Sequence, residues 1–184
     1  MTTASRPRRA AILRAAEREF ASAGYAGGRI ERIAAAARVN KQLLFHYFES
    51  KEGLFAAALA SLLAQAEPDR GPADAPVDQL RALLESLQRR AGSQPGLVAI
   101  VADAEANDAF PPAARALVRA WRRGILRGLE DALAEGQRRG HFRDDLDPAA
   151  VAKLGFAMAL GAGTVEATEP PDAGRFLADA CAWR

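Results

Sequence analysis

The sequence predicts an all-α protein of about nine helices arranged in two domains. Three observations predict it. Alanine is abundant, aromatic residues are 7% of the chain and runs of β-branched residues are nearly absent, a composition that favours helix over strand. Apolar residues recur at spacings of three and four along almost the whole chain, which is the period of one helix face. Glycine, proline, asparagine and aspartate fall between those stretches, where helices start and stop. With 184 residues, 49% of them hydrophobic, a sizeable core can form and the chain suits a small domain joined to a larger one.

Taken in order, residues 1–5 read as a short tail. Arg6, Arg8 and Arg9 precede a helix with Ile12, Leu13, Ala16 and Phe20 inward, which Gly24 ends as a glycine just past the C-cap. Residues 25–28 make a turn. Two short helices follow within residues 29–51. In the first, Ile30, Ile33, Ala34 and Ala37 share one face. In the second, Asn40 is the N-cap and Leu44 and Phe48 point inward, leaving Lys41, Gln42, Leu43, Phe45, His46 and Tyr47 largely outward. Ser50 caps a helix over about residues 51–65, with Glu52 in its first turn where the helix dipole favours an acid. Its apolar side is Leu54, Phe55, Leu59, Leu62 and Leu63.

Residues 67–76, EPDRGPADAP, are the clearest linker. The expected division is a head over residues 1–52 and a body over 53–184, with the 51–65 helix as connecting rod. Helices are expected over 77–91 and 96–106, and over 112–138 starting at Pro112. Gly140 ends the last of these. Asp147-Pro148 is an N-cap followed by proline at N1, opening a nearly uncharged helix over 148–167. A final helix begins near residues 170–172 and carries Phe176, Leu177, Ala180 and Trp183.

Charge is unevenly spread. Of 25 basic and 23 acidic residues, residues 1–52 hold ten basic and five acidic, whereas 53–184 hold fifteen and eighteen. A basic head on an acidic body fits a polyanion-binding module on a body with another task. The single cysteine, Cys181, rules out an internal disulfide and a cysteine metal site. No apolar run is long enough to span a bilayer, and acidic residues interrupt the basic N-terminus before a signal-peptide core could form. The expected location is the cytoplasm, without membrane contact.

Two short helices joined by a tight turn, the second with hydrogen-bonding and flat side chains outward, read as a helix-turn-helix. Enzyme constellations are missing: there is no glycine-rich phosphate loop, no HExxH, no GxSxG and only two histidines. No cofactor and no metal are expected; Asp103, Glu105 and Asp108 alone are a weak cation signal. Arg115, Arg119, Arg123 and Arg127 form a stripe that reads as a solvated face. In the body, Gly155, Ala159 and Gly163 recur at steps of four. Each interior glycine costs about 1 kcal/mol of helix stability, so close backbone approach is the expected return.

The ordered residues Gly24-Tyr25, Ile33-Ala34, Val39-Asn40-Lys41, Leu44-Phe45, Tyr47-Phe48 and Ser50-Lys51-Glu52, followed by Leu54, resemble the DNA-binding region of the TetR family of bacterial transcription regulators. The resemblance covers roughly residues 8–60; in the body only helix number, length and order are similar. It implies base or near-base contacts from Arg29, Lys41, Gln42, Leu43 and His46, with phosphate contacts from Tyr47 and Lys51 and with Asn40 at the start of the reading helix. The family usually carries Thr or Ser where Gly28 stands, capping the first short helix and touching phosphate. Arg38 replaces the usual turn glycine and is expected at positive φ. Phe45 replaces the usual tyrosine.

The resemblance further implies a homodimer on a palindromic double-stranded operator. The implied seam is Gly155, Ala159, Gly163, Phe176, Leu177, Ala180 and Trp183. It also implies release by a small-molecule effector in a pocket among the body helices, with Leu62, Leu84, Leu87, Val101, Trp121, Ile125 and Phe156 as candidate lining. The function implied is a ligand-responsive repressor rather than an enzyme. The alternative, supported by Gly28, Arg38 and Phe45, is a helical ligand-binding or scaffold protein whose head does not read DNA.

Overall fold

A computed structural model describes residues 5–66, 75–107, 109–162 and 173–181. Among these the elements are α1 (Ser5–Gly27), α2 (Ile30–Ala36), α3 (Lys41–Phe48), α4 (Lys51–Gln65), α5 (Pro76–Ser93), α6 (Pro95–Ala106), α7 (Pro112–Arg138), α8 (Pro148–Ala162) and α9 (Ala173–Cys181). Among the described residues every regular element is a helix, with no extended strand. The all-α expectation holds, and side-chain caps set the starts of α3, α4 and α8. Asn40 Oδ1 accepts the Leu43 amide at 2.7 Å, Ser50 Oγ accepts the Gly53 amide at 3.0 Å and Asp147 Oδ1 accepts the Ala149 amide at 3.0 Å, each answering an amide with no partner inside its helix.

The ending expected at Gly24 differs in detail. Gly24 leaves the helical path at φ 65 and ψ −176, but helical residues resume to Gly27. The Gly28 amide still closes onto the Gly24 carbonyl at 3.1 Å. Arg6, Arg8 and Arg9 lie within α1 rather than ahead of it, and the Arg9 guanidinium sits 5.0 Å from the Phe48 ring centroid. The expected helix over 148–167 is described only to Ala162, and Gly163 and Trp183 lie outside the described residues.

The chain divides into two compact units. The first comprises Met1–Gln65 and Gly96–Arg119, the second Ala66–Pro95 and Ala120–Arg184.

In the first unit α1 packs on α4 and α2, α2 on α3, and α3 on α4. Ile12, Phe20, Ile33, Leu44, Leu54 and Phe55 are fully buried there. Edge-on aromatic contacts join Phe20 to Phe55 at 4.9 Å and Phe55 to Phe110 at 5.5 Å, the arrangement ring quadrupoles favour. Gly96, at the start of α6, lies so close to α1 that a Cβ there would meet the Ala21 carbonyl oxygen at 2.1 Å.

In the second unit α5 packs on both α8 and α9, and α8 on α9. Its core includes Leu80, Leu83, Leu84, Leu87, Leu129 and Leu133, with Phe142 and Cys181 among its other members. Gly155 is where α8 closes on its neighbours: an added Cβ would stand 2.8 Å from Leu177 and 3.0 Å from Leu84. The Arg143 amide donates to the Cys181 carbonyl at 2.9 Å, tying the loop after α7 to the end of α9.

Candidate nucleic-acid interface

The second short helix, α3, is set by its two flanking turns. At the end of α2, the Val39 amide donates to the Ala34 carbonyl at 3.0 Å and the Arg38 amide to the Ala35 carbonyl at 3.1 Å. This is the Schellman pattern, which places its C′ residue in the left-handed region and usually employs glycine there. Arg38 occupies it at φ 55, as the family resemblance implies. Asn40 then stands extended at φ −80 and ψ 158 and starts α3.

After α3, Glu49 takes φ 63 and ψ −48, while the Ser50 amide closes onto the Phe48 carbonyl at 2.6 Å. A three-residue turn with positive central φ is rare and strained. A Cβ on Gly53 would stand 2.4 Å from that same Phe48 carbonyl, so glycine lets the first turn of α4 rise directly off the end of α3. Nothing in the sequence signals the positive φ at Glu49.

The start of α2 corrects one expectation. The N-cap is Arg29, extended at φ −113 and ψ 122 with no side-chain cap bond, so Gly28 is one residue outside the helix. Gly28 is buried, and a Cβ there would come within 2.5 Å of the Phe20 ring. The position is set by packing against α1, not by capping. The missing cap arrives from elsewhere in the fold: Glu19 Oε1, on α1, accepts the Arg29 amide at 3.1 Å and lies 3.8 Å from the Arg32 guanidinium.

Leu44 and Phe48 anchor α3 in the core. Lys41, Gln42 and His46 are exposed, and Leu43, Phe45 and Tyr47 are half-buried. The His46 and Tyr47 rings meet edge-on at 5.6 Å. Beside α3 lies an open cleft of about 400 Å³ lined by residues that include Gly28, Arg29, Glu31, Lys41, Phe45 and Lys51. Lys51 Nζ is 4.9 Å from the Tyr25 ring centroid and 3.4 Å from the Ala26 carbonyl oxygen, so its ammonium is held over the cleft wall. Burial, reinforced by the Glu52 carboxylate, raises the Tyr25 phenol above its ordinary value and keeps it neutral beneath that lysine. Lys41 Nζ meets Glu31 Oε1 at 2.5 Å, and this contact holds the Glu31 carboxyl below its ordinary value.

Gly28, Arg29, Lys41 and Lys51 are thus brought to one cleft, while Gln42, Leu43, His46 and Tyr47 are carried by the helix beside it. Sequence reasoning missed Glu19 and Glu31. Each meets its partner ten residues away along the chain, and no local pattern announces either contact.

The candidate effector-lining residues fall in both units. Leu84, Leu87, Trp121, Ile125 and Phe156 lie in the core of the second, where the Trp121 and Phe156 rings meet edge-on at 6.0 Å. Leu62 and Val101 belong to the first unit. Of the candidate seam, Gly155, Ala159 and Leu177 are buried within the second unit, and Phe176 and Ala180 are exposed. Along α7, Arg119, Arg123 and Arg127 are exposed, while Arg115 is half-buried and donates to the Asn107 carbonyl. Among the described residues, no group of three or more His, Cys, Asp or Glu could hold a metal ion, and no helix is long and apolar enough to cross a membrane.

Comparison with known proteins matches two stretches of the chain. Residues 12–58 match the family described as bacterial regulatory proteins, tetR family, and residues 73–164 match the tetracyclin repressor-like C-terminal domain. The HTH-type transcriptional repressor NicS of Pseudomonas putida is 32% identical over 139 residues, which is 73% of this chain and 66% of NicS, just under two thirds of its length. A TetR transcriptional regulator from Chloroflexus aurantiacus has a similar structure, with a TM-score of 0.78, 25% identity and coverage of 97% of this chain and 96% of the other. AibR, solved in complex with isovaleryl coenzyme A and operator DNA, shares the fold at a TM-score of 0.68 and 23% identity, covering 94% and 95% of the two chains. With both stretches matched, the chain belongs to the TetR family of bacterial regulatory proteins.

Proposed function

We propose that this chain is a ligand-responsive, DNA-binding transcriptional repressor that grips a palindromic operator as a homodimer and is released by a small molecule. The observation that carries the reading is α3: a helix started by Asn40 and anchored by Leu44 and Phe48, with Lys41, Gln42 and His46 exposed beside the cleft that holds Arg29 and Lys51. In this reading Gln42 pairs with adenine, Arg29 or Lys41 with guanine, and Leu43 packs on a thymine methyl. Lys51 and Tyr47 hold phosphate, and so fix orientation without reading sequence.

Functionally, residues 1–52 are the reader, 51–65 the connection and 53–184 the effector-binding and dimerising part. Leu154 and Phe176, on α8 and α9, are 61% and 60% exposed. Large apolar side chains open to water support a surface covered by a second copy, with Ala180 on the same helix as Phe176. Gly155, Ala159 and Leu177 act beneath that surface by holding α8, α9 and α5 together. AibR, of the same fold, was solved with both isovaleryl coenzyme A and operator DNA, which supports an effector site in a DNA-binding chain; release from DNA requires the effector to bind the released state more tightly than the DNA-bound state. The Leu84, Leu87, Trp121, Ile125 and Phe156 cluster is the proposed place for it. The repressor acts in the cytoplasm and catalyses no reaction.

Selection of bound duplexes from a random pool tests the reading. The expected product is a palindrome with half-sites about one helical turn or a multiple apart, bound with a steep fall in affinity as salt rises and by a dimer in sedimentation. Recovery of no sequence preference, with a shallow salt dependence, would instead mark a helical ligand-binding or scaffold protein.

A further inference from the structure

Among the described residues, Glu31 is the one acid lining the cleft, in a wall that otherwise carries Arg29, Lys41 and Lys51. Its carboxylate lies 2.5 Å from Lys41 Nζ, and the two side chains are 67% and 54% exposed. An ion pair this open to water contributes little to folding, because solvent screens the attraction and two long side chains are held in one geometry. Its acid also stands in the first turn of α2, where the helix dipole favours it modestly. Neither effect accounts for pairing with the first residue of α3, the helix that carries the exposed Gln42 and His46.

We propose that Glu31 is a built-in competitor for Lys41, a carboxylate that a DNA phosphate or base must displace before Lys41 can contact the duplex. The inference rests on the DNA-reading function proposed above. A carboxylate and a phosphate oxygen are the same kind of partner for an ammonium, a charge-assisted acceptor, so only one of them satisfies Lys41 in a given geometry. Glu31 also places a negative charge on a surface that approaches a polyanion. Both effects weaken the sequence-independent part of binding, which depends on the number of phosphates neutralised. Base contacts from α3 then carry a larger share of the total, and occupancy of random DNA falls. Glu31 is in this sense a specificity-determining residue that touches no base.

The test compares wild type, Glu31→Gln, Lys41→Ala and the double variant on a random-sequence duplex and on the duplex selected from a random pool, by fluorescence anisotropy across a salt series. Glutamine keeps the shape of Glu31 and removes its charge, and an exposed position tolerates the change. The expected result is that Glu31→Gln tightens binding to the random duplex several-fold. The slope of log affinity against log salt should steepen by about 0.9 per subunit, the value for one more neutralised phosphate. In the Lys41→Ala background the gain should shrink to what relief of charge repulsion alone supplies, and the steepening of the slope should be absent. Unchanged or weaker binding by Glu31→Gln, or the same gain without Lys41, overturns the competition. If wild type and Glu31→Gln both fail to bind either duplex at low salt, the DNA-reading function itself falls, and this inference with it.

Discussion

The carboxylate of Glu19 on α1 accepts the backbone amide of Arg29 at 3.1 Å, so the free amide of the α2 N-cap residue is satisfied from another helix. Arg29 has no capping side chain of its own, and Glu19 is mostly buried, with 14% of its side chain exposed. Loss of a cap typically costs about 1 kcal/mol. Glu19→Ala should therefore lower stability in urea by roughly 1 kcal/mol, and because α2 packs on α3, it should also weaken DNA binding at every sequence alike. Glu19→Gln, which keeps an acceptor oxygen, should recover most of the stability. If the two variants unfold at the same denaturant concentration as wild type, the amide of Arg29 does not depend on Glu19.

Two non-glycine residues at positive φ bracket the proposed reading helix, Arg38 at 55 and Glu49 at 63. A side chain there crowds its own backbone by roughly 1 kcal/mol, partly offset by the chain entropy that glycine gains on unfolding. Arg38→Gly should stabilise the chain by about 0.5–1 kcal/mol, and Glu49→Gly by a similar amount. Equilibrium urea denaturation at unchanged m-value checks both. A loss of stability at either position would show that its side chain holds contacts worth more than the strain.

The segments that were legible in the sequence are those whose chemistry is local. Asn40, Ser50 and Asp147 each bond an amide two or three residues ahead, and that pattern is written in consecutive residues. The positive φ at Arg38 followed from the family resemblance, in which glycine usually stands at that turn position. The cap at Arg29, one residue beyond the expected Gly28, was not legible because the acceptor is Glu19, ten residues earlier on a different helix. The Glu31–Lys41 pair and the contact of Gly96 with Ala21 were hidden for the same reason. Only the packing of helices against one another brings these residues together, and periodicity says which face is buried without saying against what.

Gly96 and Gly124 should respond to the same substitution with opposite sign. A Cβ at Gly96 would meet the Ala21 backbone, its oxygen at 2.1 Å and its carbonyl carbon at 2.7 Å, whereas a Cβ at Gly124 meets nothing within 4 Å. Gly124 is exposed and lies inside α7. Gly124→Ala should raise stability by about 1 kcal/mol through helix propensity alone. Gly96→Ala must push α6 off α1, and overpacking of this kind costs about 1–3 kcal/mol. Thermal unfolding of the two variants beside wild type decides it, and a destabilising Gly124→Ala or a neutral Gly96→Ala would contradict the packing described.

Cys181 is buried in the core of the second unit, and that burial pushes its thiol above the ordinary value. The thiolate is therefore disfavoured in the folded chain relative to the unfolded one. The resulting stability is fully present below the unfolded thiol pKa, about 8.5, and is lost as pH rises from there through the folded value. Cys181→Ala should flatten the decline in stability on the alkaline side, and a thiol reagent at mildly alkaline pH should label native protein far more slowly than urea-unfolded protein. Equal labelling rates would mean that Cys181 is open to solvent.

Gln42 and Lys51 separate the two kinds of DNA contact. Gln42 is exposed near the start of α3, where an amide can pair with an adenine edge through two hydrogen bonds. Lys51 begins α4 and is steadied over the cleft by the Tyr25 ring, where a point charge suits a phosphate. Gln42→Ala should cost about 1–3 kcal/mol on the selected duplex and relax preference at one base position in each half-site. Its affinity for random DNA should be nearly unchanged. Lys51→Ala should weaken selected and random duplexes in equal proportion and reduce the salt slope by about 1 per subunit. Competition binding with single-base variants of the selected duplex, run at two salt concentrations, measures all of these. Should Lys51→Ala change base preference while Gln42→Ala changes only the salt slope, the roles assigned to α3 and to the start of α4 are exchanged, and the direction from which the reader enters the groove must be redrawn.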